Sequence, residues 1–356
     1  MSKRNMILTV VGIVVLFAGA CYAQFELDSY LRRIINLCLI YAIIGLSMNL
    51  TNGFAGQFSL GQAGFMALGA YVVGVFTVPV ELRANVFYAV PMNPLIADIQ
   101  LPLWLALIVG GLLAALVAFL IGTPVLRLRG DYLAIATLGF SEIIRIVITN
   151  AQSFTNGALG IKDIPTINDV RYIFLVTALI FVFITCLINS SYGRAFKAIR
   201  EDEIAAEAMG VGLFHHKCMA FMLSAFFAGI GGGLYATLLG TVDPKNFLFT
   251  LTYNFLLIIV LGGMGSITGS MLGSIIVTAG LEYLRIFDEP WEIMGTVIPL
   301  FRPGFRMVIF SLLLMICVLF WRKGIMGTEE FTWDKFVAFC KNPFKYFKRK
   351  GAKNNG

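Results

Sequence analysis

Ten apolar stretches, at 6–23, 31–50, 62–79, 101–122, 132–150, 171–189, 218–240, 251–263, 269–286 and 304–321, limit what this chain can become. A bilayer core asks for about 20 apolar residues per helical span, and most of the stretches reach or approach that length. Only 13% of the 356 residues are charged, against roughly 25% in soluble domains. The expected fold is therefore an all-α polytopic membrane protein with about ten membrane segments, both termini on one side. Residues 6–23 end in AGACYAQ, which has the small-residue character of a signal-peptide cleavage site. The preferred reading is a retained first span.

The charge distribution excludes other classes. The net charge of +7 owes most to Lys341, Lys345, Lys348, Arg349, Lys350 and Lys353 in a tail at 328–356. A basic tail after a span reads as a cytoplasmic segment facing anionic lipid. It lacks the aromatic-interleaved groove that nucleic acid would need. Positive charges favour the N-terminal side, giving an N-in/C-in expectation, although the helix-flanking positives alone nearly balance. The six cysteines form no CxxC pair, and His215 and His216 stand alone, so no metal site, cofactor or catalytic residue is expected. An intramembrane enzyme would need a nucleophile and base, which the spans do not offer. An ion-coupled secondary transporter or channel would need buried mid-membrane acids, and 34–80 contains none.

Two stretches depart from plain spanning helices. TNGFAGQFSLGQAGF places Gly53, Gly56, Gln57, Ser59, Gln62 and Gly64 between apolar runs, and GGMGSITGSMLG places Gly262, Gly265, Ser266, Thr268, Ser270 and Gly273 likewise. With Gly53 laid on Gly262, Gly56 meets Gly265, Ser59 meets Thr268, Gly64 meets Gly273 and Ala70 meets Ala279. Paired Gly-broken segments in two halves point to an internal duplication with a transport pathway near the breaks. The competing reading is that the small residues merely allow close helix packing.

The only long charge-dense passage between apolar segments is SSYGRAFKAIREDEIAAEAMGVGLFHHK, 190–217. Its pattern is helical, with Glu203 and Glu207 at i, i+4 and an i, i+3 pair expected between Arg200 and Glu203. Ala205, Ala206, Met209 and Gly210 supply a small apolar face, the glycine ending the helix. Such a helix can lie in a partner's groove or rest on lipid headgroups. The acids Glu201, Asp202, Glu203 and Glu207 argue against an anionic surface. Elsewhere, Glu142/Arg145 and Glu282/Arg285 repeat an i, i+3 spacing near the outer helix ends, where interfacial pairing suffices. The outer Thr155, Asn156, Gly157 and Gly160 are placed to meet an external partner.

GRAFKAIREDEIAAEAMGV resembles the EAA-type coupling loop of ABC importer permeases. NLTNGFAGQFSLGQAGFMALGAY (49–71), LRLRGDYLAIATLGFSEIIRIVITN (126–150) with TNGALGI (155–161), VLGGMGSITGSMLGS (260–274) and RPGFRMVIFSLLLMICVLFWRKGIMG (302–327) are similar to LivM/LivH-type branched-chain amino acid permeases, particularly the LivM side. The resemblance implies a permease domain over 1–327, a second, LivH-like permease, two cytoplasmic ATPases and an external solute-binding protein. It implies import of branched-chain or other hydrophobic amino acids across a bacterial cytoplasmic membrane. Urea, short amides or other small polar solutes are the alternative cargo. ATPase coupling would fall to Arg194, Arg200, Glu203, Ala206, Glu207 and Gly210. ATP hydrolysis would belong to the partners, in agreement with the absence of a GxxxxGK[ST] loop here. The 194–210 segment would act as one rigid lever, joined to the next span through 217–224.

Overall fold

The computed structural model describes residues 3–128 and 130–288, and beyond these 292–293, 296–297, 304, 308–312, 315, 324–327 and 330. In chain order the helices are α1 (Lys3–Glu26), α2 (Ser29–Asn49), α3 (Gln62–Thr77), α4 (Val80–Val86), α5 (Pro94–Ala97), α6 (Leu103–Val125) and α7 (Asp131–Asn150). They continue as α8 (Gln152–Thr155), α9 (Val170–Asn189), α10 (Ser191–Glu201), α11 (Glu203–Ala208), α12 (Leu213–Leu239), α13 (Phe249–Gly262) and α14 (Ile267–Tyr283). Each expected apolar stretch from 6–23 to 269–286 coincides with a helix. The last, 304–321, lies mostly outside the described residues, as does nearly all of the basic tail.

Among the described residues five helices are long and apolar enough to cross a bilayer, or six if α3 and α4 count as one span bent by 118°. α3, α13 and α14 have 16, 14 and 17 residues, fewer than the roughly 20 that cross a full bilayer. The bundle has an inner and an outer layer. α2 and α12 bury 72% of their most apolar windows, whereas α6, α7 and α9 bury only 28–39%. The outer three therefore turn Leu112, Leu116, Ile135, Ile143 and Leu179 outward, where only lipid solvates such side chains. α12 packs against α6, α3 and α2, and α2 also meets α14, α9 and α13. Where α3 crosses α12, backbones come so close that a Cβ on Gly232 would lie 1.9 Å from the Met66 carbonyl oxygen.

One end of the bundle carries α10 and α11; the loops at the other end are held by two buried polar residues. Arg83 donates to the carbonyls of Val78, Ile96, Ala97 and Ile99, satisfying acceptors that short helices leave unpaired. Asn156 (6% exposed) donates to the carbonyls of Val86 and Gly160. The expected external contact at Asn156 is corrected by this burial: the residue holds loops together and presents no surface. On the same face the Arg171 guanidinium beside Asp169 keeps that carboxyl below its usual range.

Candidate functional site

The charge-dense stretch is two helices instead of one. Asp202 (φ −157°, ψ 114°) leaves helical geometry, and its carboxylate accepts from the Ile204 and Ala205 amides as an N-cap. This joint removes the i, i+3 geometry expected between Arg200 and Glu203. Arg200 instead pairs with Glu201, and Glu203 with Lys217 at the start of α12. The single rigid lever is accordingly replaced by a two-part element tied to α12 by Glu203–Lys217.

α11 ends as the sequence implies. Gly210 takes φ +83°, a left-handed value that other residues resist, while Val211 N donates to the Ala206 carbonyl in a Schellman-type closure. Ala206 itself is only 4% exposed. The expectation that it meets a partner is corrected, because the amphipathic phase of α11 turns it inward. Outward stand Glu207, Gly210, Ile204 (74% exposed) and Met209 (85% exposed). Arg194 is also exposed and reaches Ser191.

On its inner face α10 touches the first glycine break directly. α2 runs into a π-helical turn, Leu50–Phe54, before the chain becomes irregular to Gly61. The Arg200 guanidinium donates to the Gly53 carbonyl at 3.0 Å, and Lys197 lies 5.8 Å above the centre of the Phe54 ring. Gly56 has φ +67°, and a Cβ there would meet the Arg200 Cα at 3.0 Å. Any side chain at 56 would be strained and would push α10 away.

The two breaks meet through Asn49. Its side-chain amide donates to the Ser266 carbonyl at 2.8 Å and to Ser270 Oγ at 2.7 Å, and its oxygen accepts from Gly265 N at 2.8 Å. A polar layer continues from there across the bundle. Gln62 donates to Ser47 and Ser224, Ser224 donates to the Ser47 carbonyl, and Thr252 accepts from Ala63 N. Asn52 and Ser59 exchange two hydrogen bonds that fix the loop. In an apolar core such groups are tolerated because they satisfy one another. Gln57 is an exception: it is 3% exposed, and neither of its amide atoms has a partner among the described residues. Gly64 packs against Ser141.

The second break differs in form from the first. α13 and α14 make a tight hairpin in which a Cβ on Gly262 would lie 2.1 Å from the Gly269 oxygen, and one on Gly273 2.2 Å from the Ile258 oxygen. For Gly262 and Gly273 close helix packing is thus the observed use. Ser266 caps α14, and Glu330 adds a carboxylate over the same helix start. It accepts from Ile267 N (2.6 Å), Thr268 N (3.1 Å) and Thr268 Oγ1 (2.8 Å). Negative charge is favoured at a helix N-terminus. Among the described residues no group of His, Cys, Asp and Glu could hold a metal ion.

Asn49, Ser47, Ser224 and Glu330 were not singled out from the sequence. An Asn in an apolar helix is itself a signal of function or pairing. Glu330 has no comparable signature.

An apolar bundle with broken helices, one end presenting a pair of amphipathic helices, defines a multi-pass membrane transport component. The family model described as "Branched-chain amino acid transport system / permease component" matches residues 30–319. The chain belongs to this family. It is 37% identical over 290 residues to the high-affinity branched-chain amino acid transport system permease protein LivM of Escherichia coli strain K12, covering 72% of this chain and 64% of that one. It is 36% identical to the LivM of Salmonella typhimurium with the same coverage, so it spans somewhat less than two thirds of the length of these relatives. The guanosine ABC transporter permease protein NupQ of Bacillus subtilis is 23% identical, over 86% of this chain and 95% of that one. No solved structure matches.

Proposed function

We propose that the chain is the membrane-spanning permease subunit of an ATP-binding-cassette importer for branched-chain or other hydrophobic amino acids. The observation that carries the reading is the contact of α10 with the first helix break, Arg200 to Gly53, beneath an exposed α11 that presents Ile204 and Met209. A soluble ATPase docked on α11 would push α10, and α10 abuts the segment that would line the pathway. A LivH-like second permease, two such ATPases and an external binding protein complete the assembly. Hydrolysis belongs to the ATPases, and this chain supplies no catalytic residue. Both termini lie on the cytoplasmic side of a bacterial cytoplasmic membrane, with 1–327 as the permease domain and 328–356 as a basic tail.

In this reading Gln57, Ser59, Gln62, Ser266, Thr268 and Ser270 offer a cargo hydroxyls and amides along mostly apolar walls, and no tight site is needed. The identity to the two LivM proteins favours branched-chain amino acids over the nucleoside that NupQ's name specifies. The test is reconstitution of the chain with all four partner subunits in proteoliposomes. ATP-driven leucine uptake that depends on the binding protein is expected. Uptake by this chain alone along an ion gradient would sink the proposal.

A further inference from the structure

At the bundle end opposite α10 and α11, the first turns of α2 and the last turns of α12 and α14 enclose a cavity of about 680 Å³. That volume falls within the roughly 300–1,000 Å³ of small-molecule sites. Its rim carries both signs of charge. Arg33 lines it and makes no hydrogen bond or ion pair among the described residues. Glu282 lines it too, accepting from Tyr30 Oη (2.9 Å) and Arg285 Nη1 (3.0 Å). Ile34, Leu37 and Leu238 give it an apolar wall. Tyr41 and Tyr235 also line it, their rings stacked at 6.3 Å, with Phe255 edge-on to Tyr41 at 5.2 Å.

We propose that this cavity is a transit site for a zwitterion with an apolar side chain, in which Arg33 takes the α-carboxylate and Glu282 the ammonium group. The inference rests on the importer reading above and narrows its cargo. A neutral sugar, nucleoside or amide would leave Arg33 without a matching anion, whereas a carboxylate can take a forked pair of hydrogen bonds from it. Glu282 has Tyr30 and Arg285 among its partners, and its negative charge attracts an ammonium. The apolar wall faces the remaining group, the side chain. Arg33 is exposed, so its ion pair with cargo is weakened by water. Weak holding suits a site that must pass its cargo on. α2 joins the cavity to the helix break at its other end.

The test uses the complete transporter in proteoliposomes and follows leucine uptake alongside ATP hydrolysis stimulated by the loaded binding protein. R33Q is expected to lower uptake about fivefold, the scale of one partly exposed charged hydrogen bond, while stimulated hydrolysis stays within about twofold. R33K is expected to restore most of the uptake. Wild-type uptake by R33Q overturns the proposal. A second measurement keeps Arg33 intact. In a complex whose other cysteines are removed, L238C is labelled with a methanethiosulfonate reagent in the absence of ATP. Millimolar L-leucine is expected to slow labelling, and leucinol, which lacks the carboxylate, is expected to leave it unchanged. Equal protection by both, or by neither, overturns the site. A wild-type complex that hydrolyses ATP but moves no leucine overturns the importer reading, whereas protection by leucine in that same complex still supports the cavity.

Discussion

The Arg200 guanidinium hydrogen-bonds the Gly53 carbonyl across 3.0 Å, linking two residues far apart in sequence. The carbonyl belongs to a π-helical turn, and the guanidinium to the helix just before the Asp202 joint. Force applied to α10 is therefore delivered to the break without passing along α12 first. Replacing Arg200 with Ala is expected to leave ATPase assembly intact while leucine moved per ATP falls severalfold. Parallel measurement of hydrolysis and uptake checks this, and an unchanged ratio would falsify the coupling role.

Asn49 holds both breaks in one place. Asn49→Ala removes three hydrogen bonds and leaves Gly265 N unsatisfied in a buried site, while the Ser266 carbonyl keeps Ser270 N and Oγ. A loss of about 1–3 kcal/mol is expected, the cost of one orphaned buried group. Thermal unfolding of the purified protein in detergent should drop by several degrees. Asn49→Ala melting with wild type would mean that water replaces the amide.

Glu330 sits where the second hairpin begins. Neutralising it in Glu330→Gln keeps the shape but weakens the interaction with the α14 N-terminus by about 1 kcal/mol. Faster hydrogen exchange at the Ile267 and Thr268 amides is the expected outcome, with little change at α12. Uniform exchange across the bundle would argue against a local cap.

Met209 and Ile204 are large apolar side chains left exposed among the described residues. Met209→Glu is expected to abolish co-purification of the ATPases while membrane insertion persists. Glu207→Arg and Gly210→Glu should act in the same direction, the second also by distorting the α11 closure. Retained ATPase binding in all three variants would place the docking surface elsewhere.

The helices were legible because lipid imposes long apolar runs, and the breaks because glycine and amide side chains interrupt them. The joint at Asp202 was legible in principle. An Asp followed by a helical run is an N-cap signal, but i, i+3 spacing suggested a continuous helix that would pair Arg200 with Glu203. The partners of Asn49 and Glu330 could not be read from spacing, since they lie far away in the chain. Likewise, the equivalence implied by laying Gly53 on Gly262 hid a difference of form. The first break is an open loop holding a π turn; the second is a closed hairpin. Ala206 shows the same limit at short range. Its residue type suits either face of α11, and only packing decides which face is covered.

The π turn over Leu50–Phe54 has a consequence for how this chain can tolerate length changes. Such a turn is an α-helical turn holding one residue too many. Deleting a single residue there would remove the bulge and let α2 continue as ordinary helix, with the chain beyond it keeping nearly the same phase. The widened turn that presents the Gly53 carbonyl to Arg200 and the Phe54 ring to Lys197 would be lost. The register of this short segment is thus a setting that a one-codon deletion could erase while leaving every membrane helix in place.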